Sequence, residues 1–185
     1  MISNESWLDR ATLCPSPNFN QRPQGQTINL LVIHNISLPP GEFGGDYVKD
    51  FFCNQLDSSL HPYFATIAEL KVSAHLFIDR MGNITQFVPF AARAWHAGAS
   101  AFDGIENCND YSIGIELEGC DNIAYTDAQY QALATVTRQL QLAYPEISTE
   151  RIVGHSDIAP GRKTDPGIAF DWPRFHFLLT SESLL

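Results

Sequence analysis

The chain is 185 residues long, 44% hydrophobic, with a formal net charge of −10 at pH 7. That length supplies one domain with a real core and is short for two. The acidic balance, without a basic stripe or a zinc-finger or RNP-like pattern, excludes a general nucleic-acid binder, and no apolar run approaches the ~20 residues needed to cross a bilayer.

Residues 1–27 are polar and proline-rich and predict an irregular arm laid on the domain. The first residues include Glu5 and Asp9 and lack a basic patch leading into an apolar stretch, so they do not read as a signal peptide. The expectation is a cytoplasmic protein. Cys14, Cys53, Cys108 and Cys120 are scattered without a CxxC and would stay reduced there, most of them as small buried hydrophobes.

"INLLVIH" (28–34) is rich in β-branched residues and predicts a buried strand ending at His34. The Pro-Pro-Gly and Gly-Gly of "NISLPPGEFGG" predict a loop after it. Val48, Phe51, Phe52 and Leu56 recur with helical spacing over residues 46–56, and "SSLHPYF" (58–64) reads as a loop. "VSAHLFIDRMGNITQFVPF" (72–90) alternates on both sides of Met81-Gly82-Asn83 and predicts a β-hairpin. "AWHAG" follows as a loop or strand end.

In "YSIGIELEG" (111–119), Ile113, Ile115 and Leu117 alternate with Ser112, Gly114, Glu116 and Glu118, the pattern of a strand with one apolar face. The clearest helix starts at a Thr126–Gln129 capping box, carries Leu133, Val136 or Thr137, Leu140 and Ala143 on its apolar face, and stops at Pro145. "RIVGH" (151–155) predicts a short strand, "SDIAPGRKTDPG" a loop without helical period, and "DWPRFHFLL" a helix that packs back on the body. Alternating strands and helices argue for an α/β fold: one domain with a central mixed β-sheet flanked by helices.

His34 and His155 each close an apolar strand and open a Pro/Gly loop, and ligand sites in open α/β sheets lie at the carboxyl ends of strands. Pro160-Gly161 and Pro166-Gly167 bend the second loop so that Asp165 returns toward His155. Two imidazoles and a carboxylate suit Zn²⁺ with a fourth position left for water. Lys163 would lie on the same side as Asp165, although solvated loop charges fit that pair as well. Glu116 has small neighbours on its face, with Glu118 as its competitor, and the pattern does not separate them. His96, beside Trp95, suits a pocket wall. His61, His75 and His176 read as loop, strand and helix-filling residues. A 2-His-1-carboxylate iron site built on His155, Asp157 and His176 is a rival, weakened by the absence of the many short strands of a jelly roll.

Taken together, "LVIHNISLPPGEFGG", "HPYF", "VSAHLFIDR", "RAWHAG", "CNDYSIGIELEG", "YTDAQY" and "GHSDIAPGRKTDPG" closely resemble the zinc-dependent N-acetylmuramoyl-L-alanine amidases, from about residue 14 to residue 175. The superfamily also holds phage T7-type lysozyme and the peptidoglycan recognition proteins, some of which bind without catalysis. The match is to its cytoplasmic wall-recycling branch. The resemblance implies one zinc per chain on His34, His155 and Asp165, Glu116 as catalytic carboxylate and Lys163 as cationic stabiliser. It implies substrate contacts from Asn35 and Trp95, with His96 in the same wall. Lys71 and Asn107 match positions where family members often carry arginines that grip peptide carboxylates. The substrate implied is a soluble anhydro-muropeptide, cut at the amide between 1,6-anhydro-N-acetylmuramic acid and L-Ala. The expected enzyme is a monomer with no nucleic-acid or membrane partner.

Overall fold

The computed structural model describes residues 1–3 and 6–181, so Glu5 lies outside the described residues. The strands are β1 (Thr12–Leu13), β2 (Phe19–Asn20), β3 (Leu30–Ile36), β4 (Leu76–Ile78), β5 (Ile84–Gln86), β6 (Arg93–Ala94), β7 (Ala101–Phe102), β8 (Ile105–Glu106), β9 (Ser112–Glu118) and β10 (Ile152–Gly154). The helices are α1 (Tyr47–Phe52), α2 (Pro62–Ile67), α3 (Asp127–Ala143), α4 (His155–Ile158) and α5 (Trp172–Thr180). Six strands form one mixed sheet in the order β1-β5-β4-β9-β3-β10. All neighbours run parallel except the β4–β5 hairpin.

Burial on both faces explains why β3 reads as an unbroken apolar run. Leu31 and Ile33 of β3, with Ile113, Ile115 and Leu117 of β9, pack against α3 and α5 through Leu133, Val136, Leu140, Phe175 and Leu179. Leu30 and Val32 face the other way, onto Ala97, Cys108, Tyr111 and Ile158. Farther along that second face, α1 and α2 bury Val48, Phe51, Phe52 and Phe64 with Phe77 and Phe87.

The hairpin, α3 with its reciprocal Thr126–Gln129 capping box, and α5 form as expected. Several expectations need correction. The first strand does not stop at His34. It runs to Ile36 because β9 keeps pairing with it through Asn35↔Leu117 and Ile36↔Glu118. The "HPYF" segment is not a loop but the start of α2, where His61 Nδ1 accepts from the Tyr63 amide and Pro62 takes the first turn, which needs no N–H. The first predicted helix ends at Phe52, and Leu56 is buried beyond it. Ala143 is exposed; Tyr130 and both Val136 and Thr137 complete the buried face of α3. The amino-terminal arm does lie on the domain but is not wholly irregular: β1 pairs with β5, and β2 pairs antiparallel with β6.

Candidate metal centre

Strand alternation decides which side chains meet. With Leu31 and Ile33 facing α3, the even residues of β3 face the opposite side, His34 among them. Parallel pairing sets His34 directly opposite Glu116 of β9, with Val32 opposite Gly114 and Leu30 opposite Ser112. The adjacent strand β10 delivers His155 at its carboxyl end, since Gly154 pairs with Ile33.

The segment after β10 opens with the single helical turn α4, which corrects the expectation of a loop without helical period. Asp157 is not a free loop charge: its carboxylate accepts from the Gly154 amide at 2.7 Å and caps that turn. Lys163 N–H and Ala159 N–H close tight turns on the Ala159 and His155 carbonyls. The Ser156 amide then donates to the Asp165 carbonyl at 3.0 Å, which brings the carboxylate back beside His155. Gly167 has φ +80°, and a Cβ there would lie 2.2 Å from Asp121 Cα, so the exit from the turn requires glycine.

His34 Nδ1, His155 Nδ1 and Asp165 Oδ2 lie 3.0 Å from one another, pair by pair. All three side chains are largely enclosed. His155 Nε2 is 3.0 Å from the Ala97 carbonyl, which only accepts, so Nε2 carries the proton and Nδ1 presents its lone pair to Asp165. Buried acceptors converging in this way form a place suited to a cation. The donor set, two imidazole nitrogens and a carboxylate oxygen, fits a metal ion. The iron alternative loses its members, since Asp157 is a cap and His176 stacks on Trp172 in α5.

Burial dominates the electrostatics. It pushes His34 down to about 4, against the opposing contact with the Asp165 carboxylate. It pushes His75 down to about 3, aided by Arg22, and His96 well below its ordinary value, aided by His34. Although burial alone would raise Asp165, the imidazoles of His155 and His34 set against its carboxylate hold it below the usual carboxylate range. Burial and then Asp165 push Glu116 well up, with Lys163 opposing. A histidine kept neutral in the fold takes up its proton only on unfolding. Below 6.5 the unfolded chain therefore binds more protons, and each such histidine removes ~1.4 kcal/mol of stability per pH unit of acidification. The window runs down to about 4 for His34 and about 3 for His75. Glu116 acts in the opposite sense above the ordinary carboxylate range and offsets one histidine's share. Metal-free protein is thus expected to lose Tm steadily between pH 6.5 and 4; a flat Tm across that interval would contradict the assignment of these buried neutral rings.

A cleft of about 620 Å³ opens over the triad. Asn35, Trp95, His96, Glu116, Lys163, His155 and Asp165 line it, so the structure brings these sequence candidates together, with His34 buried beneath. Asn35 also clamps the site: its amide donates to Asp121 and to the Pro166 carbonyl. Trp95 is held through its indole N–H on Asn20. Lys71 and Asn107 are exposed and are not in this wall; Lys71 sits between its lining neighbours Leu70 and Val72, and Asn107 precedes the turn at Cys108. Glu116 is partly exposed, yet its Oε2 is enclosed without a hydrogen-bond partner. Glu118 accepts from the amides of Gly44 and Arg80, so it is a structural anchor on the same strand.

The sequence reading missed several supports. Gly114 makes room for a ring of the protein itself: a Cβ there would lie 2.4 Å from His96, which fills the space. Arg22 reaches from the arm to the backbone carbonyls of Phe90, Asn109, Asp110 and Ser112. Asn109 accepts from two consecutive amides, His96 and Ala97. Arg162 ties the Ala97 and Ala99 carbonyls. Only Gly114, a glycine inside an alternating strand, carried a local signal of close approach.

A family model described as N-acetylmuramoyl-L-alanine amidase matches residues 24–168. The 1,6-anhydro-N-acetylmuramyl-L-alanine amidase AmpD of Escherichia coli (strain K12) is 57% identical over 183 residues, which cover 99% of this chain and 100% of the relative. A crystal structure of a Se-Met AmpD derivative superposes with a TM-score of 0.94 at 57% identity, covering 97% of this chain and 100% of that one. The amidase AmiD from E. coli, in complex with the substrate anhydro-N-acetylmuramic acid-L-Ala-D-gamma-Glu-L-Lys, superposes with a TM-score of 0.61 at 34% identity, covering 85% of this chain and 60% of that one.

Proposed function

The chain belongs to the N-acetylmuramoyl-L-alanine amidase family, and we propose that it is a zinc hydrolase of anhydro-muropeptides that cuts the amide joining the lactyl carbonyl of 1,6-anhydro-N-acetylmuramic acid to L-Ala. The observation that carries the chemistry is the orphaned carboxylate oxygen of Glu116 in the wall of a cleft that also holds the His34–His155–Asp165 donor set.

His34, His155 and Asp165 would hold the zinc. Their 3.0 Å spacing is close to the edge of a tetrahedron with ~2.0–2.1 Å metal bonds, about 3.3 Å. When bound, zinc supplies Lewis acidity toward a carbonyl and makes water a nucleophile at neutral pH. Glu116 takes the proton of the attacking water and returns it to the leaving nitrogen, so water and amide become carboxylic acid and amine. A carboxylate raised by burial is a stronger base than one in water and sits nearer the pH at which proton transfer runs both ways. Lys163 faces the same cleft and offsets the negative charge that grows on the carbonyl oxygen. Asn35 and Trp95 contact the substrate from the wall, with His96 behind them. Lys71 and Asn107 reach the peptide only from beyond the described wall.

The 185 residues act as one catalytic unit and as a monomer. No helix among the described residues is long and apolar enough to cross a membrane. Four free cysteines suit a cytoplasmic setting, where the substrates are soluble fragments rather than cross-linked wall.

Incubation with an anhydro-muropeptide and mass analysis of the products tests this reading. One free anhydro sugar acid and one peptide with a new L-Ala amino terminus are expected. A chelator should abolish their formation, and zinc should restore it. Cleavage inside the peptide, or turnover indifferent to chelator, would overturn the reading.

A further inference from the structure

We propose that the dipeptide His96-Ala97, pinned by Asn109, sets the hydrogen-bonding sense of both histidine ligands, with His96 acting as a positioning residue for His34 through a relay that ends on the Cys108 carbonyl. The inference rests on the reading of His34 and His155 as metal ligands.

The relay is read from its far end, where the chemistry allows one choice. The Cys108 carbonyl only accepts, and the Ser112 hydroxyl lies 2.6 Å from it. Ser112 therefore gives its proton to Cys108, and its oxygen is left to accept. The His96 Nε2 atom, 3.1 Å away, is then the donor. A neutral imidazole carries one N–H, so His96 Nδ1 is an acceptor. It faces His34 Nε2 at 2.9 Å, which must be protonated. His34 Nδ1 is left with its lone pair, pointed at His155 Nδ1 and Asp165 Oδ2. Had the relay the opposite sense, a proton on His34 Nδ1 would occupy the place of the metal.

The second ligand is oriented by the next residue. The Ala97 carbonyl accepts from His155 Nε2, which frees His155 Nδ1 for the same centre. Two consecutive residues, one through its ring and one through its carbonyl, thus orient both ligands. Its own position is tightly held: the amides of His96 and Ala97 donate to Asn109 Oδ1 at 3.0 and 2.8 Å. The ring of His96 lies against Gly114, where a Cβ would be 2.4 Å from its Cγ, so its seat depends on the missing side chain. Nothing in this arrangement requires His96 to touch substrate.

The test is ¹⁵N NMR of the imidazoles in metal-free native protein, combined with zinc affinity from chelator competition on native, His96→Leu and His96→Asn proteins. The native protein is expected to show His34 in the Nε2–H tautomer before any metal is added. His96→Leu keeps bulk but offers no acceptor and should bind zinc ~10–100-fold more weakly, the usual cost of losing a partner behind a metal ligand. His96→Asn places an oxygen where Nδ1 stood and should recover most of that loss, the reverse of what a space-filling role would give. His34 carrying its proton on Nδ1, or His96→Leu binding zinc as tightly as native, would overturn the proposal; the NMR arm decides even if a variant fails to fold. A native protein that binds no zinc at all, with His34 still in the Nε2–H tautomer, would count against the metal reading and leave the relay standing.

Discussion

Glu116→Gln is expected to retain zinc and fold while kcat falls by ~10²–10⁴-fold, the range for loss of a general acid–base. The amide nearly matches the carboxylate in size, so packing against β3 and β4 is unchanged. It cannot take a proton from water at neutral pH. Because Glu116 is not one of the three converging donors, metal content should not move, and KM should change little, since the lost interaction belongs to the transition state. Glu118→Gln separates this from a general effect of altering β9. Glu118 holds the amides of Gly44 and Arg80, so its amide variant should lower Tm and spare kcat. An active Glu116→Gln beside an inactive Glu118→Gln would reverse the two roles. Loss of zinc from Glu116→Gln would make it a ligand.

The other large effect lies in the ligands. His34→Ala, His155→Ala and Asp165→Ala should each lose zinc at concentrations that saturate the native protein. Activity should fall by more than ~10³-fold, since Lewis acidity and nucleophile generation together contribute several kcal/mol. The three variants differ in what remains. Without Asp165, the two neutral imidazoles are left with no anionic ligand to balance a dication. Without His155, Asp165 loses the imidazole contact that most helps hold its carboxyl down. Zinc content measured on purified protein alongside turnover checks this. Normal zinc in any one of the three removes that residue from the site.

Much of this site was legible because it lies on elements with a strong period. The alternation in β9 named the face of Glu116, and the apolar run of β3 delivered His34 to a strand. The Pro-Gly bends after His155 announced a return of the chain. The missing parts have a common cause. Strands β1, β2 and β6 are two residues long, too short for a period, and exist through pairing with distant segments. Helix α2 is six residues long and offered only the His61-Pro62 start. The choice between Glu116 and Glu118 needed to know that Gly44 and Arg80 would meet the second. The supports behind the metal centre are donor–acceptor relations across the fold: Arg22 meets Ser112, Asn109 meets Ala97, and His96 fills the space over Gly114. No spacing within the chain encodes them.

The strand order also governs the site's assembly as the chain is made. β3, which carries His34, sits between β9 and β10, and the other two proposed ligands, His155 and Asp165, lie 121 and 131 residues downstream of His34. A growing chain therefore exposes an interior strand of its sheet long before either parallel neighbour exists, a slow and aggregation-exposed route. A nascent chain that ends before β10 holds one donor of three and has an open edge on β3. Metal capture and closure of the sheet thus belong to the same late moment of synthesis, and a prematurely ended chain cannot become a weak enzyme.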